Sequence, residues 1–226
     1  MIQPVPFFET DYFIHDLRRG TVHNRSKTKL CFMPSEFLLA LKQVLEEETG
    51  DAWREIMLQS GRIWGKRVAK RFHKEMSDFY GRPLHELPTR EFMNLLEAFF
   101  RYHGWGLLTI DLQHAEHGYI VAKLENSAFV EITGPSRQPV DMIVAGLLGQ
   151  FIAHVSERPD VECVETACSA TGAPHCMFLV GIAARLQTAR NIIAEGGTHE
   201  DVLAGVLPMG GAFVSDSDTE QLNRRG

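Results

Sequence analysis

The sequence has few of the features that mark secreted, membrane-spanning or nucleic-acid-binding proteins. Its 226 residues include four cysteines, too few for a disulfide framework in a chain of this length. No apolar run reaches the ~18 residues that a bilayer span requires, and the first residues lack the charged and apolar regions of a signal peptide. The net charge is −6, whereas general nucleic-acid binders carry a positive excess. We therefore expect a cytoplasmic protein with reduced thiols and no nucleic-acid partner.

The sequence also lacks the motifs of the common nucleotide-dependent and hydrolytic enzymes. No G-x-G-x-x-G follows a predicted strand, and neither a serine-hydrolase elbow nor H-E-x-x-H is present. The stretch from Gly61 to Arg67 is superficially similar to a phosphate-binding loop, but its spacing is one residue short and it lies inside a predicted helix. These absences argue against a nicotinamide, flavin or nucleotide site of the usual kind, and they favour a binding protein over an enzyme.

The composition is that of an ordinary globular protein, with 44% hydrophobic and 23% charged residues. The length fits one domain with additions at its ends. We divide the chain into an irregular N-terminal arm (1–29), a single domain (30–207) and a polar, flexible C-terminal tail (208–226). The arm is rich in aromatic residues, which we expect to pack on the body of the domain or on a partner subunit: Phe7, Phe8, Tyr12 and Phe13.

Hydrophobic periodicity predicts the main elements of the domain. Apolar residues at three- and four-residue steps indicate helices over about 52–77, from Thr89 to His103, and from Pro139 to His154, the last nearly all apolar and therefore buried. Alternating residues indicate two strand pairs, 107–112 with 119–124, and a hairpin from Val161 to Val180. This order predicts an α+β fold in which an antiparallel sheet carries helices packed on one face.

The predicted helix over 52–77 has two faces that suggest partners. Gly61 and Gly65 leave a flat groove where another helix can approach closely, which favours a homodimer. Its other face is basic, and this basic stripe either docks an acidic protein or an anionic membrane surface or is simply solvated. The stripe consists of Arg62, Lys66, Arg67, Lys70, Arg71 and Lys74.

The hairpin contains the most specific arrangement of polar groups in the chain. Glu165 lies three residues before Cys168, and Cys176 follows eight residues later, beyond the turn residues 172–174. A carboxylate and two thiolates are suitable ligands for zinc, which favours four ligands in structural sites. The same residues are also compatible with two plain thiols or with a disulfide.

The pattern Glu-x-x-Cys followed by Gly-x-x-x-Cys-x-Phe resembles the signature of the four-vinyl-reductase domain. The matching residues are Glu165, Cys168, Gly172, Cys176 and Phe178, and the order of elements is compatible with that family from roughly residue 30 to 190. The family includes a bacteriochlorophyll-synthesis protein and the sensor modules of phenol-responsive activators. The resemblance implies a fold related to subunits of a vesicle-tethering complex, a small hydrophobic ligand and, in some members, zinc at this loop.

The resemblance also implies a fourth metal ligand, and here the sequence departs from the family. In the zinc-bearing sensors a cysteine just before the buried helix completes the site, whereas this chain has Asp141 in that region. Asp141 could take its place because carboxylates bind zinc. Cys163 and His175 are local alternatives. Such a closed site would be structural because it leaves no open position for catalysis.

A cluster of aromatic residues around one histidine is the predicted ligand site. His103 could give a hydrogen bond to a ligand in an apolar pocket, although a helix-terminal histidine that complements the helix dipole is the simpler interpretation, and aromatic clusters are often plain core. The predicted lining is Phe99, Phe100, His103, Trp105, Phe129 and Phe151.

These residues together predict a binding module for a small hydrophobic molecule, either a tetrapyrrole or another aromatic compound. By resemblance, such a protein would serve pigment synthesis or photosystem assembly in photosynthetic bacteria. One alternative is a reductase that acts on the vinyl group of a chlorophyll precursor. Another is a sensor that works through a partner protein, since the chain shows neither a helix-turn-helix nor an ATPase segment.

Overall fold

The computed structural model describes residues 6–8 and 11–207. Its strands are β1 (Phe13–Asp16), β2 (Thr21–Asn24), β3 (Lys29–Leu30), β4 (Leu107–Asp111), β5 (Ile120–Glu125), β6 (Val161–Ala167) and β7 (Cys176–Ile182). Its α-helices are α1 (Ser35–Thr49), α2 (Trp53–Tyr80), α3 (Thr89–Tyr102), α4 (Ala128–Thr133), α5 (Met142–Val155), α6 (Ala183–Ala194) and α7 (His199–Val206). No helix in the described part of the chain is long and apolar enough to cross a membrane.

The main sheet has four antiparallel strands in the order β4-β5-β7-β6. The two predicted strand pairs therefore lie side by side, joined where β5 pairs with β7. The side chains of each strand alternate between two faces. One face packs on α2, α3 and α5 through residues such as Leu108, Leu124 and Phe178. The α+β class and the antiparallel sheet with helices on a face are thus confirmed.

The other face of the sheet is covered by α6 and α7. Leu179 and Val121 point to this side and pack with Leu186, Ala189 and Val202 in a second, smaller core. The helical capping box at Thr198, whose side chain and backbone exchange hydrogen bonds with Asp201, fixes the start of α7. The sheet is consequently shielded on both sides, whereas the sequence predicted helices on one face.

The glycine groove of α2 is filled by α5 of the same chain. A Cβ added at Gly61 would lie 2.3 Å from the carbonyl oxygen of Ile143, and one added at Gly146 would lie 2.4 Å from that of Leu58. Gly65 faces Leu147 in the same way, at 2.8 Å from its Cα. Glycines on both helices therefore allow a backbone-to-backbone contact. The prediction that Gly61 and Gly65 form a dimer surface was wrong in its location, because helix α5 occupies that surface.

The N-terminal arm is more regular than predicted. Strands β1, β2 and β3 form a small antiparallel sheet, so the expectation of an irregular segment was wrong for its second half. The cause is a pair of tight turns that the polar sequence concealed, one between Asp16 and Thr21 and one between Asn24 and Lys29. Phe7, Phe8 and Tyr12 are at most 4% exposed and join the main core, so the arm packs on its own domain.

Two further boundaries differ from the sequence prediction. The segment 126–134, which was ambiguous, contains α4, and the side chain of Ser127 caps it by accepting a hydrogen bond from the backbone of Val130. Helix α5 begins at Met142 rather than Pro139 and takes Asp141 as its N-cap residue. The predicted C-terminal tail (208–226) lies outside the described residues.

Candidate metal and ligand sites

The hairpin of β6 and β7 brings the predicted metal ligands together. The pairing register shifts between Glu165 and Ala167, so the strand is irregular where Glu165 lies. A short turn of 3-10 helix (169–171) follows Cys168, and Gly172, with φ +99°, returns the chain towards β7. A positive φ is costly for a residue with a Cβ, so glycine suits this turn. One carboxylate oxygen of Glu165 and the sulfurs of Cys168 and Cys176 all lie within 4.8 Å of one another.

The two cysteines are reduced. Their sulfurs lie 3.9 Å apart, well beyond the length of a disulfide bond, and both thiols are buried. The backbone N–H of Ser169 donates to the sulfur of Cys176 at 3.4 Å. The disulfide alternative was therefore wrong, while thiols and metal ligands both stay consistent with the geometry.

Asp141 adjoins this group from the start of α5. It is fully buried, its backbone N–H donates to Glu165 Oε2 at 2.9 Å, and its Oδ1 accepts a hydrogen bond from the Ser127 hydroxyl at 2.8 Å. Its Oδ2 and the Oε1 of Glu165 are buried and have no hydrogen-bond partner among the described residues. Buried polar atoms are usually paired, so two unpaired carboxylate oxygens beside two thiols are an unusual arrangement.

The local alternatives for a fourth ligand lie elsewhere. Cys163 faces α5, where Gly149 approaches it closely, and burial raises the pKa of its thiol. His175 is half-buried on the loop that precedes β7. None of the three candidates belongs to the group of ligand atoms within 4.8 Å. Asp141 is nevertheless the best placed, because its backbone N–H is hydrogen-bonded to the Glu165 carboxylate.

The four groups influence one another's ionisation. Burial raises the pKa of Asp141 to about 6, and burial together with the Asp141 charge raises the pKa of Glu165 well above its usual value. The hydrogen bond between the thiols lowers the pKa of Cys168 to about 5 and raises that of Cys176. Burial and mutual repulsion therefore disfavour full ionisation of all four groups when no cation is bound.

The predicted ligand residues form an aromatic cage between α3, α5 and the turn before β4. The ring of Phe99 lies 4.2 Å from that of His103, 5.3 Å from Trp105 and 5.8 Å from Phe151, measured between centroids. Phe100 stands edge-on to Trp105 at 5.4 Å. Phe99, Phe100 and Phe151 are at most 2% exposed. Five of the six predicted residues thus meet, and the rings are in direct contact.

The sixth predicted residue, Phe129, lies at the edge of this group. It is half-buried on α4 and packs against the same core. Trp64 of α2, which sequence reasoning did not assign to the site, contacts Trp105 at 4.7 Å between ring centroids. Its position in the helical repeat of α2 indicated a core residue, but nothing in the sequence pointed to this partner.

His103 is the titratable group of the cage, and its tautomer follows from its contacts. Its Nδ1 lies 2.8 Å from the carbonyl oxygen of Phe99, which can only accept, so Nδ1 carries the proton. Burial lowers the pKa of His103 to about 4, so the ring is neutral at pH 7 and its Nε2 is an acceptor. This acceptor receives a hydrogen bond from the hydroxyl of Tyr12 at 3.3 Å.

This ionisation predicts a pH dependence of stability. Because the folded pKa of about 4 lies below the 6.5 of an unperturbed histidine, the unfolded chain binds the proton first, and stability falls as pH drops from about 6.5 to 4. The positive charge of Arg71 on α2 also disfavours the imidazolium. The free energy of unfolding, relative to His103→Gln, should fall by at most about 3 kcal/mol across this range. Urea unfolding of the wild type and of His103→Gln at pH 7 and pH 4.5 measures this difference. If both proteins lose the same free energy of unfolding between the two pH values, His103 is not the group responsible.

The predicted basic stripe of α2 is partly paired within the chain. Arg62 contacts Glu162 of β6 at 3.0 Å, Arg71 lies 3.7 Å from Glu75, and Lys74 lies 2.5 Å from Asp78. Three of its six cations are therefore engaged in intrachain ion pairs. Of the three pairs, that of Lys74 and Asp78 is exposed, and such pairs contribute little to stability.

Comparisons with known proteins give matches in structure alone. No family model and no curated protein matches the chain. The chain is similar to the phenol-responsive sensory domain of the transcription activator PoxR, solved with phenol, with a TM-score of 0.63 and 16% identity over 81% of this chain and 90% of that one. At this level of identity the likeness establishes the fold.

Two further solved structures are similar over a smaller share of the chain. One is a vinyl-4-reductase family protein from Methanocaldococcus jannaschii, with a TM-score of 0.46 and 16% identity over 68% of this chain and 84% of that one. The other is a trafficking protein particle complex subunit 3 from Naegleria fowleri, covalently bound to palmitic acid, with a TM-score of 0.49 and 13% identity over 66% of this chain and 94% of that one.

Proposed function

We propose that the chain is a binding domain of the four-vinyl-reductase type for a small aromatic molecule. The observation that carries the proposal is the aromatic cage, in which the rings of Phe99 and Trp105 contact the neutral imidazole of His103 and those of Phe100 and Phe151 pack behind them. Small-molecule sites are typically apolar with a few convergent polar groups. The unprotonated Nε2 of His103, which receives the Tyr12 hydroxyl in the structure, would instead accept a hydrogen bond from a ligand hydroxyl or N–H and thereby orient the ring.

The fold shared with a sensory domain that was solved with phenol supports a ligand of similar size. The rings of the cage are in contact with one another, so a single aromatic ring requires less rearrangement than a tetrapyrrole. We therefore favour a one-ring aromatic compound over a tetrapyrrole as the ligand. The tetrapyrrole is supported only by the resemblance to the four-vinyl-reductase family. A role in pigment synthesis or photosystem assembly would follow only from a tetrapyrrole ligand.

We further propose that the hairpin site holds zinc. Two thiolates bound at 2.3 Å to a tetrahedral zinc ion lie about 3.8 Å apart, and the sulfurs of Cys168 and Cys176 are 3.9 Å apart. The unpaired oxygens of Glu165 and Asp141 are the remaining donors. A bound zinc would offset the negative charge of these buried groups and stabilise the turn between β6 and β7. With four protein ligands it would be structural.

Binding is favoured over vinyl reduction by the character of the cage. The imidazole of His103 has a pKa of about 4 and already donates its Nδ1 proton to the backbone, so it is poorly suited to protonate a substrate at neutral pH. A sensory role through a partner protein uses the same binding site. A cytoplasmic location, a homodimer and an acidic or membrane partner at Lys66, Arg67 and Lys70 stay predictions.

Fluorescence of Trp105 tests the ligand-binding proposal. We expect phenol or 4-methylphenol to quench it with saturable affinity, because an aromatic ligand in the cage contacts this indole. His103→Ala should weaken binding by ~1 kcal/mol through the lost hydrogen bond, and Ala145→Phe should weaken it more, because the added ring would intrude on the α5 side of the core. Phe37→Ala, at an exposed site on α1, is the control and should bind normally.

Titrations with other ligands, together with an activity assay, separate the competing functions. A free-base porphyrin that binds more tightly than any one-ring compound would favour the tetrapyrrole. Turnover of a divinyl pigment with added NADPH would establish a reductase. If no compound of the panel gives a saturable signal with the wild-type protein or any variant, the binding proposal is wrong.

A further inference from the structure

The ring of Tyr12 closes the aromatic cage from the side of the N-terminal arm. Tyr12 is 4% exposed, and its ring stands edge-on to that of His103 at 5.5 Å between centroids. Phe8 packs on its other side at 5.0 Å and stacks on Tyr102 at 5.3 Å. The arm therefore places a phenol ring, as part of the chain itself, against the polar group of the proposed ligand site.

The hydrogen bond of Tyr12 uses the atom that a ligand would need. His103 has one acceptor, Nε2, since its Nδ1 proton is held by the carbonyl oxygen of Phe99. The hydroxyl of Tyr12 donates to this acceptor at 3.3 Å. A ligand hydroxyl that donates to the same lone pair must displace it, because the imidazole nitrogen has a single lone pair in the ring plane. Tyr12 and the ligand are thus mutually exclusive at His103.

The arm has one fixed part and one part held by weaker contacts. Strand β2 is anchored to α2, because Asn24 donates to both oxygens of Glu75 at 3.0 Å and Thr28 donates to one of them at 2.5 Å. The described residues before β1 are held by apolar contacts, by a hydrogen bond between the Tyr12 and Asn24 side chains, and by Arg25, which donates to the carbonyl oxygens of Pro6 and Phe7 at 2.8 and 3.0 Å. Release of the first segment therefore need not unfold the second.

We propose that Tyr12, supported by Phe8, is a built-in competitor that occupies the ligand position at His103 until a ligand displaces it. This inference rests on the proposed ligand-binding function and assigns its regulation. The apparent affinity is then the intrinsic affinity multiplied by the fraction of molecules in which Tyr12 has left the cage. Ligand binding at His103 is thereby converted into release of the arm, a change at the surface that a partner protein can detect.

Removal of Tyr12 should strengthen ligand binding. With 4-methylphenol as the probe, Tyr12→Phe should bind about tenfold more tightly than the wild type, because the ring stays and only the competing hydrogen bond is lost, a difference of the size expected for one such bond. Tyr12→Ala should bind more tightly still. Tyr119→Ala is the matched control, since it removes an equally buried tyrosine ring from the second core.

Hydrogen exchange in the wild-type protein tests the displacement directly. Saturating 4-methylphenol should increase amide exchange across the β1–β2 pair and leave the β2–β3 pair unchanged, because Asn24 and Glu75 keep β2 in place. Toluene, which lacks the hydroxyl, should bind more weakly than 4-methylphenol, and the Tyr12→Phe substitution should increase its affinity by a smaller factor. These results together support the competitor.

Three results would overturn it. If 4-methylphenol binds the wild type with exchange across the β1–β2 pair unchanged and Tyr12→Phe has the same affinity, the competitor is wrong while the binding function stands. If Tyr119→Ala gains as much affinity as Tyr12→Ala, the gain is ordinary filling of a cavity and the competitor is wrong. If neither the wild type nor any variant binds the probe, the binding function fails, and the competitor fails with it.

Discussion

Protein purified without chelator should contain about one zinc per chain, and Cys168→Ser or Cys176→Ser should lose it. Each substitution removes one of two thiolates that are correctly spaced for a tetrahedral ion. Because metal binding to a folded site is linked to folding, loss of the zinc should lower the melting temperature by roughly 10 °C or more. Metal analysis of the purified proteins together with thermal unfolding measures both effects.

Two further variants make this test specific. Cys31→Ser is the matched control, since Cys31 is exposed and remote from the group, and it should keep the metal and its melting temperature. Asp141→Asn should weaken zinc binding if Asp141 is the fourth ligand, and Cys163→Ser should not. The absence of metal in the wild type, with both hairpin thiols titrating freely in the native state, would contradict the zinc site.

The periodicity of apolar residues predicted the helices and strands whose formation depends mainly on neighbouring residues. Helices α2 and α3 follow from apolar residues at helical spacing, and the hairpin of β6 and β7 follows from alternation interrupted by Gly172. The Glu165, Cys168 and Cys176 group could be predicted as well, because all three lie on one hairpin and their contacts need only the turn between two neighbouring strands. Asp141 was predicted from a family position and lies beside the group.

Contacts between distant segments could not be predicted in the same way. The hydrogen bond between Tyr12 and His103 joins residues 91 apart, and that between Asn24 and Glu75 joins residues 51 apart. Nothing in the sequence around these residues indicates which distant residue each of them contacts. The strands of the arm were missed for a related reason, since β1 and β2 have four residues each and β3 has two, too few to show an alternating pattern. In such a segment, tertiary contacts override the weak local preference.

The helix that packs on Gly61 and Gly65 of α2 shows most clearly what the sequence could not predict. The spacing of Gly61 and Gly65 correctly predicted that another helix packs closely on α2. The spacing does not indicate whether that helix belongs to the same chain or to a second copy. In the structure it is α5, whose own Gly146 completes the contact. The homodimer stays a prediction, and any dimer must use another surface. Helix α1 has no buried residue and exposes Phe37, Leu41 and Val44.

Gly61→Ala should therefore destabilise the fold itself. An alanine Cβ at this position would lie 2.3 Å from the carbonyl oxygen of Ile143, and it can be accommodated only if α2 and α5 move apart, since the clashing atom is backbone. Overpacking of this kind costs typically about 1–3 kcal/mol or more, against a gain of at most ~1 kcal/mol in helix propensity. We expect a net loss of about 2 kcal/mol, or roughly 4–8 °C in melting temperature, and a larger loss for Gly61→Leu.

Ser60→Ala is the matched control for this loss. Ser60 is the adjacent residue on α2 and is exposed, so its substitution should be neutral or slightly stabilising. Gly146→Ala meets the carbonyl oxygen of Leu58 across the same contact and should be as harmful as Gly61→Ala. Light scattering separates the two possible partners of the groove. If Gly61→Leu keeps the wild-type melting temperature and changes only the mass in solution, the groove faces a second copy of the chain. A loss of stability at unchanged mass places α5 of the same chain in the groove.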